Sequence, residues 1–216
     1  MIWQRLSPIW QTCVAEAWQG YCHGSLPHGA VVTDAQGRIV SHGRNRIREK
    51  TAEGREFAGN RLAHAELNAL LAMDWSATDV YSCKLYSIVE PCPMCIGALR
   101  MAHMREIHYA ARDSGAGATS LIDKTAFFAS GQIAVFGSED SELEQSAMAL
   151  MVEATLSQRH PQAWDWINQL ARELPRSITL GNQLFEEHLV AQWCEEGKAA
   201  SFVLDQIHER LLALLR

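Results

Sequence analysis

No run of eighteen apolar residues occurs in the 216-residue chain, so no membrane-spanning helix is expected. The opening stretch, Met1 to Pro8, lacks the basic-then-apolar order of a secretory signal, and a cytoplasmic protein is expected. Cysteine is sparse at six residues, which argues against a disulfide framework. Cys13, Cys22, Cys83 and Cys194 are expected as packed thiols that behave as small hydrophobes. Basic excess is missing too, since the net charge is −6. Residues 1–138 carry 13 basic against 12 acidic side chains, whereas residues 139–216 carry 6 against 13. Neither part has the strongly basic balance that phosphate binding usually leaves, although the near-neutral first part leaves a nucleic-acid site open.

What is present is enough apolar side chain, 48% of the residues, for a sizeable core. Apolar positions at helical spacing from Ile9 through Trp18 predict a first helix, ended by Gly20 and His23-Gly24. Residues 30–33 and 38–41 flank the turn-rich Asp34-Ala35-Gln36-Gly37 and predict a strand pair. Residues 44–62 read as a loop. Its Arg and Lys residues alternate with Glu49, Glu53 and Glu56, as on a solvated surface. Residues 65–73 and 93–103 read as helices, and 84–89, 106–110 and 133–136 as strands. Strands alternating with helices predict α/β layers. From residue 139 onward, apolar stripes punctuated by Pro161 and Pro175 predict three or four helices, an acidic extension of residues 139–216 behind a domain of residues 1–138.

The most specific chemistry lies in His64-Ala65-Glu66 and Pro91-Cys92-Pro93-Met94-Cys95. One imidazole and two thiolates suit zinc, which prefers four ligands, so a three-donor site leaves a position for water. Cys92 and Cys95 share one side of a first helical turn, and Pro93 suits that start because its missing N–H would lack a partner anyway. Residues two apart on a regular helix point nearly opposite ways, so His64 must stand at a helix start with Glu66 inside the first turn. Glu66 is then the proton carrier for hydrolytic removal of an amino group from a heterocycle. Two other readings stay open. Cys92 and Cys95 could be a redox pair, or the zinc could be sealed by Cys83, His103 or His108 as a structural site.

These motifs resemble the zinc-dependent cytidine and deoxycytidylate deaminase superfamily, with its H-x-E and P-C-x-x-C pattern. The similarity extends from about Pro27 to Lys124, through Pro27-His28-Gly29-Ala30-Val31-Val32, Gly43-Arg44-Asn45-Arg46 and Ala111-Arg112-Asp113. It is nearest to the branch of tRNA adenosine deaminases and guanine deaminases. The resemblance implies a three-layer α/β sandwich around a mixed sheet, here with an appended C-terminal helical lobe. It implies one zinc per chain on His64, Cys92 and Cys95, proton shuttling by Glu66, substrate contacts from Asn45 and Asp113, and a homodimer. The chain departs from that branch in its longer stretch from Asn45 to His64, in Asn60-Arg61-Leu62-Ala63 where the branch has Asp-Pro-Thr-Ala, and in the acidic tail.

The expectation is therefore a hydrolytic deaminase of a small amino-substituted base or nucleoside, with no membrane partner. A tRNA adenosine deaminase is the second reading, disfavoured by the near-balanced charge. A catalytically silent, zinc-folded partner-binding module is the third, and the presence of Glu66 speaks against it.

Overall fold

A mixed sheet of five strands in the order β2-β1-β3-β4-β5 organises the computed structural model, which describes residues 1–51, 54–138, 140–159 and 163–215. Helix α1 (Pro8–Cys22) leads into β1 (Gly29–Thr33) and β2 (Ile39–Arg44), an antiparallel pair joined by the predicted turn. Asp34 closes that turn by accepting bonds from the Gln36 and Arg38 amides. Then come α2 (Ala65–Ala72), β3 (Lys84–Val89), α3 (Pro93–Met101), β4 (Glu106–Ala111), α4 (Ala126–Ala129) and β5 (Ala134–Gly137). β3 runs antiparallel to β1, while β3, β4 and β5 are parallel.

Alternation along the strands sends side chains to two apolar faces. Ala30, Val32, Leu85 and Ile107 pack with Ala65, Ala69 and Leu70 of α2 and Ile96 and Leu99 of α3. Val31 and Ile88 face the other way and, with Val89 and Ala111 at the strand ends, pack with Cys13 and Ala17 of α1 and with Met148, Met151 and Val152 of α5 (Ser141–Ser157). The result is the expected three-layer sandwich with additional C-terminal helices. The apolar core runs across residue 138, because α5 covers the sheet as α1 does.

Beyond α5 lie α6 (Ala163–Glu173), α7 (Pro175–Glu186), α8 (Leu189–Glu195) and α9 (Ala200–Ala213). Among the described residues the tail therefore has five helices rather than three or four. α7 starts at Pro175, one of the expected punctuation points, with only Leu174 between it and α6, and α8 starts after a left-handed His188. The expected punctuation at Pro161 lies outside the described residues. Trp18, Ala149, Leu180, Leu184, Val190, Trp193 and Ile207 form a further core between these helices and the sandwich.

Two other expectations are corrected. Cys22 and Cys194 are bonded to each other rather than packed as free thiols, with Cα atoms 5.6 Å apart. Their separation of 172 residues conceals the pairing from any local reading. The stretch after β2 is a loop, as expected, and Arg48, Lys50, Arg55 and Arg61 are exposed, but its charges are not all solvated: Arg46 and Glu49 are ion-paired at 3.0 Å with side chains only 8% and 7% exposed. Arg44 joins Glu49 at 2.9 Å, and Arg46 also pairs with Glu56, so the charges turn inward onto one another. Glu53 lies outside the described residues. No helix among the described residues is long and apolar enough to cross a membrane.

Candidate active site

α2 begins at His64, whose extended backbone (φ −78°, ψ 153°) makes it the residue just before the helix, and Glu66 sits in the first turn. This is the arrangement the two-residue spacing requires. α3 begins the same way after Cys92 (φ −73°, ψ 171°), with Pro93 as its first residue and Cys95 one turn in. Two helix N-termini thus bring their donors together, and the positive end of each dipole favours thiolate and carboxylate.

The Cys92 and Cys95 sulfurs are 3.6 Å apart, and they lie 3.7 and 3.6 Å from His64 Nδ1. Zinc bonds of about 2.3 Å to sulfur and about 2.0–2.1 Å to nitrogen, at tetrahedral angles, give edges of about 3.8 Å and about 3.6 Å. The three donors therefore already stand at the spacing of one tetrahedral face. They are the group among the described residues that could hold a metal ion. None of the three alternative fourth donors joins them. Cys83 Sγ donates to the Asp79 carbonyl, His103 stacks on Tyr81, and His108 is stacked between Tyr86 and Phe136. Hydrogen bonds from the Cys95 thiol and from His64 draw the Cys92 thiol well below its usual range, against the opposing effect of burial.

His64, Glu66 and Cys92 line a cavity of about 400 Å³ together with His28, Glu90, Asp113 and residues of α5 and α6. Glu66 is 3% exposed, and burial raises its carboxyl above the ordinary range while the His64 imidazole pulls the other way. His28 presents a buried Nε2 with no hydrogen-bond partner, and burial, with His64 nearby, pushes its imidazole down to about 4. Glu90 clamps the loop that follows β4: it accepts from the Thr119 amide at 3.1 Å, from the Thr119 hydroxyl and from the Asp113 amide at 3.4 Å. Asp113 lies on the cavity wall. Asn45 is 2% exposed and is not among the cavity-lining residues; its Oδ1 accepts from the Ile47 amide at 3.2 Å, closing a turn.

Met151 and Thr155 of α5 and Asp165, Trp166 and Gln169 of α6 also line it. None of these was singled out from the sequence, because their approach to the site is tertiary. His28 did leave a signal, as a polar residue at the mouth of the apolar strand β1.

The sequence model of the cytidine and deoxycytidylate deaminase zinc-binding region matches residues 4–111, half of the chain. The chain belongs to this deaminase family. Members similar to it include guanine deaminase of Bacillus subtilis, 33% identical over 92 residues, which are 42% of this chain and 53% of that protein. The tRNA-specific adenosine deaminase of Agrobacterium fabrum is 33% identical over 96 residues, 43% of this chain and 57% of that protein. A tRNA(Ile)-lysidine synthase of Deinococcus radiodurans is 41% identical over 95 residues, again 43% of this chain but only 15% of that protein. The deaminase-family chain thus spans little more than half of these curated relatives at most. A guanine deaminase structure from Nitrosomonas europaea shares the fold, with a TM-score of 0.52 at 24% identity over 69% of this chain and 85% of that one.

Proposed function

We propose that the protein is a zinc-dependent hydrolytic deaminase of a small amino-substituted nucleobase or nucleoside. The observation that carries this reading is the meeting of His64, Cys92 and Cys95 at tetrahedral spacing beside a buried carboxylate, Glu66, with His64, Cys92 and Glu66 lining one cavity. When bound there, zinc supplies a Lewis acid that brings the pKa of water towards neutrality. Glu66 takes a proton from the water on its carboxylate oxygen and passes it to the ring nitrogen next to the amino-bearing carbon. The water oxygen bonds to that carbon. Glu66 then takes the proton of the new C–OH and delivers it to the departing amino group, the C–N bond breaks, and a carbonyl and ammonia result. The raised carboxyl of Glu66 suits a group that must hold a proton between these steps. His28 Nε2, neutral and without a partner, offers the ring one hydrogen bond.

Charge favours a small substrate without phosphate. Glu66, Glu90, Asp113 and Asp165 line the cavity, and no Lys or Arg does among the described residues. A phosphate there would meet carboxylates with no Lys or Arg among the described residues to offset them. The second reading, a tRNA adenosine deaminase, is favoured by the similarity to the Agrobacterium enzyme. It predicts activity falling steeply with added salt.

The test is Glu66→Gln in zinc-loaded protein, assayed for ammonia release over a panel of nucleobases and nucleosides. Zinc stays bound near one per chain while turnover falls about 10²- to 10⁴-fold. Substantial turnover in that variant overturns the assignment.

A further inference from the structure

We propose that α6 is the substrate-selecting wall of this site, with Trp166 the plate on which a flat, phosphate-free amino-heterocycle rests and Asp165 the charge that turns phosphorylated forms away. The inference rests on the deaminase reading above, and it concerns residues outside the 4–111 segment that defines the family.

The helix is held firmly enough to serve. Ile167 and Leu170 are 3% and 0% exposed and anchor it in the core beneath α5, while Trp164 on its outer side is 64% exposed. Trp166 is half-buried between these extremes and faces the cavity. Its indole N–H donates to Asp113 Oδ1 at 3.1 Å, the same oxygen that accepts from the Gly115 and Ala116 amides at 3.0 and 3.1 Å. The ring is therefore tied to the loop that carries the expected substrate contact. Gly115 makes room for it, since a Cβ there would stand 2.6 Å from Trp166 Cδ1. Gln169, one turn further along, lines the same wall.

The chemistry of that wall selects a class of ligand. An aromatic plate attracts any flat ring, because every base has a π-face. Asp165 adds a negative charge to a cavity that already holds three carboxylates and no Lys or Arg among the described residues. Neutral bases and nucleosides enter such a site; a dianionic phosphate meets Coulomb repulsion from these carboxylates with no Lys or Arg beside it among the described residues.

Zinc-loaded full chain is assayed for ammonia release from guanine, cytosine, adenine and adenosine, in wild type, Trp166→Ala, Trp166→Phe and Asp165→Lys, with zinc content and Tm measured for each. For whichever compound is turned over, Trp166→Ala raises KM about 5- to 150-fold, the range that base–aromatic stacking is worth, with kcat changed far less. Trp166→Phe, which keeps a flat ring but loses the N–H, restores most of that KM. Asp165→Lys lowers the inhibition constant of the matching 5′-monophosphate by about tenfold or more. A Trp166→Ala variant with unaltered KM, or a Phe variant as poor as the Ala one, overturns the proposal and leaves the deaminase reading intact. An unchanged inhibition constant overturns the role of Asp165. Wild type that releases ammonia from none of the four compounds overturns the small-substrate reading proposed above and this inference with it.

Discussion

Gly43→Ala is the sharpest test of how the fold positions the site. A Cβ on Gly43 would stand 2.4 Å from the Ala69 nitrogen, 2.8 Å from the Asn68 carbonyl carbon and 2.9 Å from the Ala65 carbonyl oxygen. All three atoms are backbone of α2, so no side chain can swing aside. Ordinary contact starts at 3.4 Å, so α2 and β2 must part by about 1 Å, the difference between 3.4 and 2.4 Å. Overpacking of this kind costs about 1–3 kcal/mol, and a backbone obstacle puts the change near ~3 kcal/mol. For a chain of this size that lowers Tm by about 6–12 °C. The same displacement carries His64 and Glu66 with it, and it exceeds the roughly 0.5 Å within which a site must be held. Zinc affinity is therefore expected to drop about tenfold or more, comparable to losing a supporting contact. Far-UV circular dichroism through the thermal transition, paired with zinc competition against a chromophoric chelator, measures both quantities. A Tm within about 2 °C of the parent together with unaltered zinc affinity would refute the reasoning.

Two further outcomes follow from buried polar groups. Asn68 is 0% exposed and binds the chain after β2: its Oδ1 accepts from the Phe57 amide at 2.8 Å, and its Nδ2 donates to the Arg44 and Phe57 carbonyls at 3.0 and 3.1 Å. Asn68→Ala strands those groups at about 1–3 kcal/mol each, and limited trypsin digestion should then cut at Arg48, Lys50, Arg55 or Arg61 well before the rest of the chain; equal digestion rates would contradict the tether. Glu153 is 1% exposed, accepts from the Tyr21 hydroxyl at 3.0 Å and the Ser157 hydroxyl at 2.7 Å, and burial raises its carboxyl above the ordinary glutamate value of 4.5. The folded state holds that proton more tightly than the unfolded one, so stability is fullest below pH 4.5 and is lost as pH climbs through the folded value. Glu153→Gln, which cannot ionise, should raise Tm at pH 8 and give no gain at pH 4. A gain of the same size at both would sink the account.

The zinc donors were legible because each depends on short-range geometry. His64 and Glu66 two apart force a helix start, and Pro93 inside Cys92–Cys95 forces another; the structure places helix boundaries at both. The alternating strands and the turn at Asp34 were readable for the same reason. What escaped depends on residues distant in sequence. The Cys22–Cys194 bond spans 172 residues, and nothing near either cysteine marks its mate. The charges between Arg44 and Glu56 have a surface-like composition, yet opposite signs placed opposite each other let Arg46 and Glu49 go inside. Trp166 falls off the apolar stripe of its helix and carried no signal in the sequence. Only the packing of α6 on the loop at Asp113 turns it towards the cavity.

Helix α5 serves two structures at once. Met151 belongs to the core beneath the sheet and to the cavity wall, and Thr155 beside it lines the same wall. A change at Met151 that reshapes the chamber also reshapes the foundation, so altered preference and lost rigidity arrive together. Asp165 and Gln169 on α6 are exposed and carry no such double duty. Diversification among near relatives should therefore accumulate at Asp165 and Gln169 and spare α5, and libraries built to redirect the chemistry should randomise those two positions while leaving α5 and the anchoring Ile167 and Leu170 untouched.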